Sequence, residues 1–525
     1  MKKSSFVILL AAACMLGGTG LKAVTQQPNE LPKQKTHNVL GGFYSDWTRW
    51  RKGWPGTAQA VPWDKVDFVA MAFWGIAQAK HCPSAWDTPS KASYNLTTYG
   101  GLNPITNFLG GTQWTSNPNA SAPWAGCTFA ADPETDRSFL QELNTLMAAK
   151  GKPVMISLGG WSYTHRFRDM AAWDNYQAGA QLNNLMRDIN MLKNQNWFGG
   201  VDLDWEYPVR GHGSPEFWKN IPQEAEYFKI LIEKLGEAMK GTSANGQKLY
   251  FSIDLPCSNE AIDEMFDHTT GLAEVINNNV SFITLMAYDM HGEYEAATPG
   301  STAKSMSDPD EIEPVIRHLV NDLGIKPEKI LLGMPNYARE MIVTSDTNGG
   351  YDQPLLPVEI YQADTSYIDP ANIEPYPGVG GMVDNTGVYY YSQLANKLFG
   401  TNYPDAVEAK PYPGMRDTGG EALPATLQNQ VITDKNISWA IGPFGSVQKL
   451  GLNGVIPGQF FQGYPVFTFD TPASVKYKVD NLVKKYDLGG VSFWELYGDA
   501  YSAGDWQFGN RYSNIFAARE ALDSQ

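Results

Sequence analysis

Cysteine is nearly absent from this chain, four in 525 residues, which excludes a scaffold held together by many disulfides. Cys14 falls in the N-terminal apolar run. Cys82 and Cys127 share one polar, turn-rich region, where they pair in an oxidising compartment or stay as separate thiols. Cys257 is then a free thiol at a strand end. Histidine is equally sparse, with seven scattered residues, no HExxH pattern and no spacing that suits a zinc site. A basic run is missing altogether: 40 Lys and Arg stand against 56 acids, a formal charge of −16. So acidic a chain repels phosphate backbones, and nucleic acid is excluded as a partner. Beyond the N-terminus no apolar stretch is long enough to span a bilayer. Low-complexity linkers, charge blocks and internal repeats are lacking too. The length then allows one large domain with insertions, or two to three smaller ones.

The N-terminus reads as targeting. Lys2 and Lys3 precede an apolar run from Phe6 to Leu16, too short for a membrane span but suited to a signal peptide. Cleavage after Gly20 or Ala23 makes 1–23 the signal and 24–37 a short flexible leader, with the remainder secreted or periplasmic. Ala11-Ala12-Ala13-Cys14 resembles a lipoprotein cleavage box, so lipid anchoring through Cys14 is the alternative. Ala11 stands against it, where such boxes usually carry Leu.

What the chain has in quantity is aromatic surface, with 16 Trp and 26 Tyr, fitting a neutral ligand that stacks on rings. It also has short apolar runs followed by amphipathic stretches. Eight runs read as strands: "NVLGGFY" (38–44), "VDFVAMAFW" (66–74), "PVMISLGGW" (153–161), "GGVDLDWEY" (199–207), "KLYFSIDLP" (248–256), "VSFITLMAYD" (280–289), "KILLGMPNY" (329–337) and "LGGVSFWEL" (488–496). Helical patterns such as 225–241 and 310–324 lie between them. The alternation predicts an α/β fold, a closed eight-stranded parallel (β/α)8 barrel over 38–525. Two connections are too long for simple loops. Residues 76–150 follow the second strand, and 340–470 separate the seventh from the eighth. The latter predicts a small inserted α+β subdomain.

Within the fourth run, Asp202, Asp204 and Glu206 occupy every second position. Strand side chains alternate faces, so the three carboxyls point the same way. Crowded acids cannot all ionise cheaply, which raises at least one pKa and leaves a protonated carboxyl near neutrality. That is what a general acid requires. Calcium binding would want more oxygen ligands from a loop, and this is no such loop. Barrel active sites form at the C-terminal ends of the strands, and Glu206 stands nearest that end.

The run resembles the DxxDxDxE signature of bacterial-type chitinases of glycoside hydrolase family 18. "ISLGGW" (156–161) is similar to that family's third-strand SxGG motif, "MAYDMHGEYE" (286–295) to its sixth strand, and "GMPNYAR" (333–339) to its GxPxYGR. "GGVSFWEL" (489–496) and "FTFDTPASVKYKV" (467–479) resemble its eighth strand and the segment before it. The resemblance implies hydrolysis of β-1,4 bonds between N-acetylglucosamine units of chitin, by a retaining mechanism in which the substrate's acetamido group is the nucleophile. It assigns Glu206 as proton donor, Asp204 as the acid that supports the acetamido group, Asp202 as the acid sharing its proton, and Tyr288 as the phenol bonded to the acetamido carbonyl. Ser157, Trp161, Phe73, Met286, Asp289, Tyr337, Arg339 and Trp494 complete the substrate contacts. For Met286, Trp161 and Trp494, ordinary barrel core is the alternative. No metal and no cofactor are implied, and a monomer acting on chitin or chitooligosaccharides is expected.

Three departures from the signature stand out. Gly199 occupies the first Asp position, on the face opposite the trio, so packing rather than chemistry should feel the change. Phe43 replaces a Tyr whose hydroxyl would steady Asp202, and Ala338 replaces a Gly. An endo-β-N-acetylglucosaminidase acting on N-glycans is an alternative, against which the deep inserted wall speaks. A non-catalytic chitin-binding lectin is another, against which Glu206 speaks.

Overall fold

Each of the eight apolar runs forms a parallel strand, and the eight close on themselves. The structure, a computed structural model, describes residues 27–31, 38–45, 61–78, 94–98, 142, 144–161, 164, 167, 171, 180–195, 198–210, 221–356, 388–391, 394, 398, 426–432, 437–451, 454–499 and 513–524. The expected signal peptide, and the Cys82 and Cys127 expected to pair or to stay separate, fall outside them. Cys257 is a buried free thiol, its pKa pushed up by burial.

The strands in chain order are β1 (Val39–Ser45), β2 (Phe68–Gln78), β3 (Tyr94–Thr98), β4 (Val154–Gly159), β5 (Gly200–Asp204), β6 (Tyr250–Pro256), β7 (Phe282–Met286), β8 (Ile330–Pro335), β9 (Tyr337–Val343), β10 (Val388–Tyr390), β11 (Gln428–Ile432), β12 (Ile437–Ile441), β13 (Gly445–Gly451), β14 (Gly454–Phe469) and β15 (Gly490–Trp494). The barrel runs β1-β15-β8-β7-β6-β5-β4-β2, and a β1–β2 pairing closes it. β3 is antiparallel to the far end of β2. Buried on both faces, the barrel strands are apolar almost throughout rather than alternating. Helices cover the outside. In Gln223–Met239 the buried residues Ala225, Phe228, Leu231, Ile232, Leu235 and Met239 recur at helical spacing and form its inward stripe. Arg519 of the last described helix pairs with Asp67 at 3.1 Å and donates to the Asn38 carbonyl at 2.8 Å, fixing that helix beside β1.

Along the barrel axis the inward residues change character. One end is filled by Val39, Phe68, Met155, Tyr250, Phe282 and Leu331, with Leu31 packed among them. The expected leader is therefore held at this point. Asn29 also donates to the carbonyls of Gly241 and Leu249 at 2.6 and 2.7 Å. Two residues further along the strands the interior turns polar, with Ser157, Asp202, Ser252, Thr284 and Ser492, all at most 1 % exposed.

A second, antiparallel sheet follows β8 directly, in the order β10-β9-β14-β12-β11, with β13 paired to β14. It has its own apolar cluster of Met341, Val343, Leu355, Ile437, Trp439, Ile441 and Val466. The seventh apolar run thus breaks at Asn336: its last residue, Tyr337, belongs to this sheet, as does Arg339. Of the expected inserted unit, 357–387 and 399–425 lie outside the described residues, as does most of 76–150.

Candidate active site

The two glycines of "SLGG" explain how β4 and β5 come together at the barrel mouth. Gly159 has φ of +109°, and a Cβ there would stand 2.1 Å from the Asp204 carbonyl oxygen, so only glycine fits. The next amide, Gly160 N–H, donates to that same carbonyl at 2.9 Å. The close approach also sets register: Ser157 pairs with Asp202, and Asp202 with Ser252 on β6.

Asp202 is 1 % exposed. Its two oxygens accept hydrogen bonds of 2.6 Å from the hydroxyls of Ser157 and Ser252. With Phe at position 43, the two hydroxyls come from the flanking strands. Burial raises the Asp202 pKa, and those hydroxyls oppose the rise. Asp204, 3 % exposed, is pushed well above the usual carboxylate range by burial first, then by the charges of Glu206 and Asp202. It lies within hydrogen-bonding reach of Glu206, while its Oδ1 has no hydrogen-bond partner among the described residues. Glu206 stands two residues past Asp204, beyond the end of β5 and half-buried, with its backbone N–H on the Thr164 hydroxyl at 2.6 Å. The expected trio is therefore together.

Tyr288 follows the end of β7, half-buried. Burial holds its phenol well above its ordinary pKa, helped by the neighbouring acids Asp254, Asp204 and Glu206; it remains a donor at any working pH. Tyr337 packs edge-on against it, centroids 6.2 Å apart. Tyr337 and Arg339 both bind Asp289 Oδ1, at 2.5 and 2.6 Å, and Arg339 reaches Glu293 at 2.8 Å. Asp289, Tyr337 and Arg339 therefore form one group beside the trio, with Tyr294 under the guanidinium at 5.3 Å. Met286 ends β7 and is 7 % exposed.

Trp494, at the end of β15, is partly exposed and backed by two rings. Phe73 stacks on it at 5.1 Å with planes 15° apart, and Phe43 meets it at 5.3 Å. Phe73 is only 8 % exposed, so the ring that faces outward is that of Trp494. Ser157 is fully buried and touches Asp202 rather than open space. Trp161 lies just past β4, half-buried.

Sequence reasoning missed Tyr207 and Asp254. Tyr207 lies within hydrogen-bonding reach of Glu206, and burial followed by the Glu206 charge lifts its pKa. Asp254, on β6, is 2 % exposed and is raised well above the carboxylate range by burial, then by Asp202 and Asp204. An acid inside the apolar run "KLYFSIDLP" was the available signal. The peptides Ala72–Phe73, Glu206–Tyr207 and Trp494–Glu495 at the site are cis. Gly199 packs against β4, where a Cβ would meet Pro153 Cβ at 2.9 Å and Val154 N at 3.0 Å.

The profile of the glycosyl hydrolases family 18 matches residues 39–499. Chitotriosidase-1 of Mus musculus is 28% identical over 229 residues, 42% of this chain and 46% of that protein. Chitinase A1 of Niallia circulans is 27% identical over 419 residues, 72% of this chain and 54% of that protein. The chain spans about half the length of these curated relatives. Among solved structures, chitinase ChiA74 from Bacillus thuringiensis superposes with a TM-score of 0.57 at 20% identity, covering 93% of this chain and 70% of that one. The Group IV chitinase of Ostrinia furnacalis in complex with allosamidin gives 0.57 at 16% identity, covering 92% and 98%. At such identities the likeness is one of fold, a (β/α)8 barrel.

Proposed function

The chain belongs to the glycosyl hydrolases of family 18, and from that premise we propose that it is a chitinase, cleaving β-1,4 bonds between N-acetylglucosamine units with retention. The observation that carries the reading is Asp204: a buried carboxyl beside Glu206, with one oxygen that has no partner among the described residues. An amide N–H of the substrate is the donor that oxygen lacks. Glu206, half-buried at the mouth, is the proton donor.

In the first step the acetamido carbonyl oxygen attacks the anomeric carbon while the glycosidic C–O bond breaks. The Glu206 proton goes to the leaving oxygen. Positive charge spreads over the cyclised amide, whose N–H is held by Asp204, and Tyr288 donates to the acetamido oxygen before attack. Water then adds to the anomeric carbon from the face the leaving group vacated. Glu206 takes its proton, and the bond to the amide oxygen breaks. Asp204 ends β5 two residues before Glu206 and so shares its side of the scissile bond, where an attacking carboxylate is of no use. Trp494 offers an outward ring to a sugar face, and the Asp289, Tyr337 and Arg339 group binds hydroxyls. The second sheet, part of an inserted unit over 340–470, supports a deep cleft wall. The N-terminal leader pattern supports a secreted or periplasmic location.

Early-time proton NMR of a chitooligosaccharide digest should show the β-anomer first, and fully deacetylated oligomers should stay intact. An α-anomer as first product, or brisk cleavage of glucosamine oligomers, rules the mechanism out.

A further inference from the structure

Beside Asp202 and Asp204 lies a third buried acid that the mechanism above does not use. Asp254 sits midway along the inner face of β6, 2 % exposed, in register with Thr284 of β7. On its other side is the end of β5, where Leu203 pairs with Ile253. Among the described residues neither of its oxygens makes a hydrogen bond of ordinary geometry, and neither does the Thr284 hydroxyl. Yet Asp254 and Asp202 are close enough to influence each other as hydrogen-bonding partners: their contact holds Asp202 down and pushes Asp254 up. Two carboxyls buried this close together require a proton between them.

The groups facing Asp254 are Asp202, Asp204 and Thr284 from the flanking strands, and Tyr288 beyond β7. Among the described residues its titratable neighbours are acids or phenols, so ionising Asp254 would add a charge without an opposite partner. Asp202, by contrast, already accepts from two hydroxyls and is the member best prepared to carry charge. The proton therefore belongs on Asp254.

We propose that Asp254 is a positioning residue of this site, a neutral acid that donates to Asp202, keeps it ionised, and so leaves Asp204 free for Glu206 and the substrate amide. The proposal rests on the chitinase reading for its kinetic consequences only. Asp202 supplies the negative charge that balances the cyclised amide, and its protonation sets the acid limb of kcat/KM. Losing a donor makes Asp202 bind a proton more readily, which moves that limb to higher pH.

The test uses Asp254→Ala and Asp254→Asn with an N-acetylglucosamine oligomer as substrate. In Asp254→Ala the acid limb should rise by about one pH unit and kcat should fall about tenfold with KM little changed, the scale of one lost hydrogen bond to a carboxylate. Asp254→Asn keeps an N–H toward Asp202 and a carbonyl toward Thr284, so it should restore both. A merely structural role would instead lower the unfolding temperature of both variants and leave the limb in place. Infrared spectra at neutral pH provide a readout independent of turnover: the wild type minus Asp254→Asn difference should contain one buried protonated carboxyl band. That arm decides the matter if Asp254→Ala fails to fold. It also decides it if the wild type cleaves no oligomer, an outcome that would refute the chitinase reading alone. A folded Asp254→Ala with the wild-type pH profile, or a difference spectrum without the lost band, overturns the proposal.

Discussion

The two ends of the barrel interior are built on the same strands, two to four residues apart, and have opposite chemistry. At one end β6 contributes Tyr250 and β7 Phe282, which join Phe68, Met155, Val39 and Leu331 in an apolar plug. At the other the same strands contribute Ser252, Asp254 and Thr284, which join Asp202 and Asp204 beneath Glu206, and none of these five is more than 3 % exposed. Buried acids destabilise a fold unless they are neutral or hydrogen-bonded. The plug end carries no such burden and supplies packing to hold the strands in register. Stability and chemistry are therefore separated along the axis, and a substitution should report on one or the other according to its height.

Glu206→Gln tests the upper end most severely. Turnover should fall by at least ~10²–10⁴-fold, the usual worth of general acid catalysis, while oligosaccharide affinity and unfolding temperature stay near wild type. Near-normal turnover in the folded variant would remove Glu206 from its role. At the lower end, Phe282→Ala deletes a ring 3 % exposed that meets Phe68 at 4.6 Å. Denaturant unfolding should show a loss of about 3–5 kcal/mol, whereas kcat and KM of the folded fraction should hold. A changed KM with intact stability would break the division between the ends.

The smallest effect is expected from Gly199→Asp, which restores the signature's first acid. Its Cβ would press on Pro153 and Val154, and overpacking of this kind costs about 1–3 kcal/mol. Thermal melts should show that loss, with kcat altered far less than by Glu206→Gln. A large gain in turnover would mean that this position reaches the acids after all.

Much of the barrel was legible because a buried strand between covering helices advertises itself as a short apolar run. All eight runs became barrel strands, and the bundling of Asp202, Asp204 and Glu206 followed from alternation along one of them. The lesser details were harder. Tyr337 and Arg339 read as the tail of a barrel strand but sit on the first strand of the second sheet, since nothing local marks the break at Asn336. Leu31 read as part of a loose leader yet fills the plug, where most of the other residues lie more than a hundred positions away. Phe73 read as a sugar contact and is found backing Trp494.

The sequence by itself determined which acids share a face, because the pleat of a strand is a property of the backbone over a few residues. It did not determine which neighbours those acids would meet. Asp254 lies 52 residues from Asp202, and only the closure and stagger of the barrel set β6 beside β5 and Thr284 beside Asp254. Proton sharing among buried carboxyls depends on ångström distances between strands far apart in the chain, and tertiary structure alone fixes those.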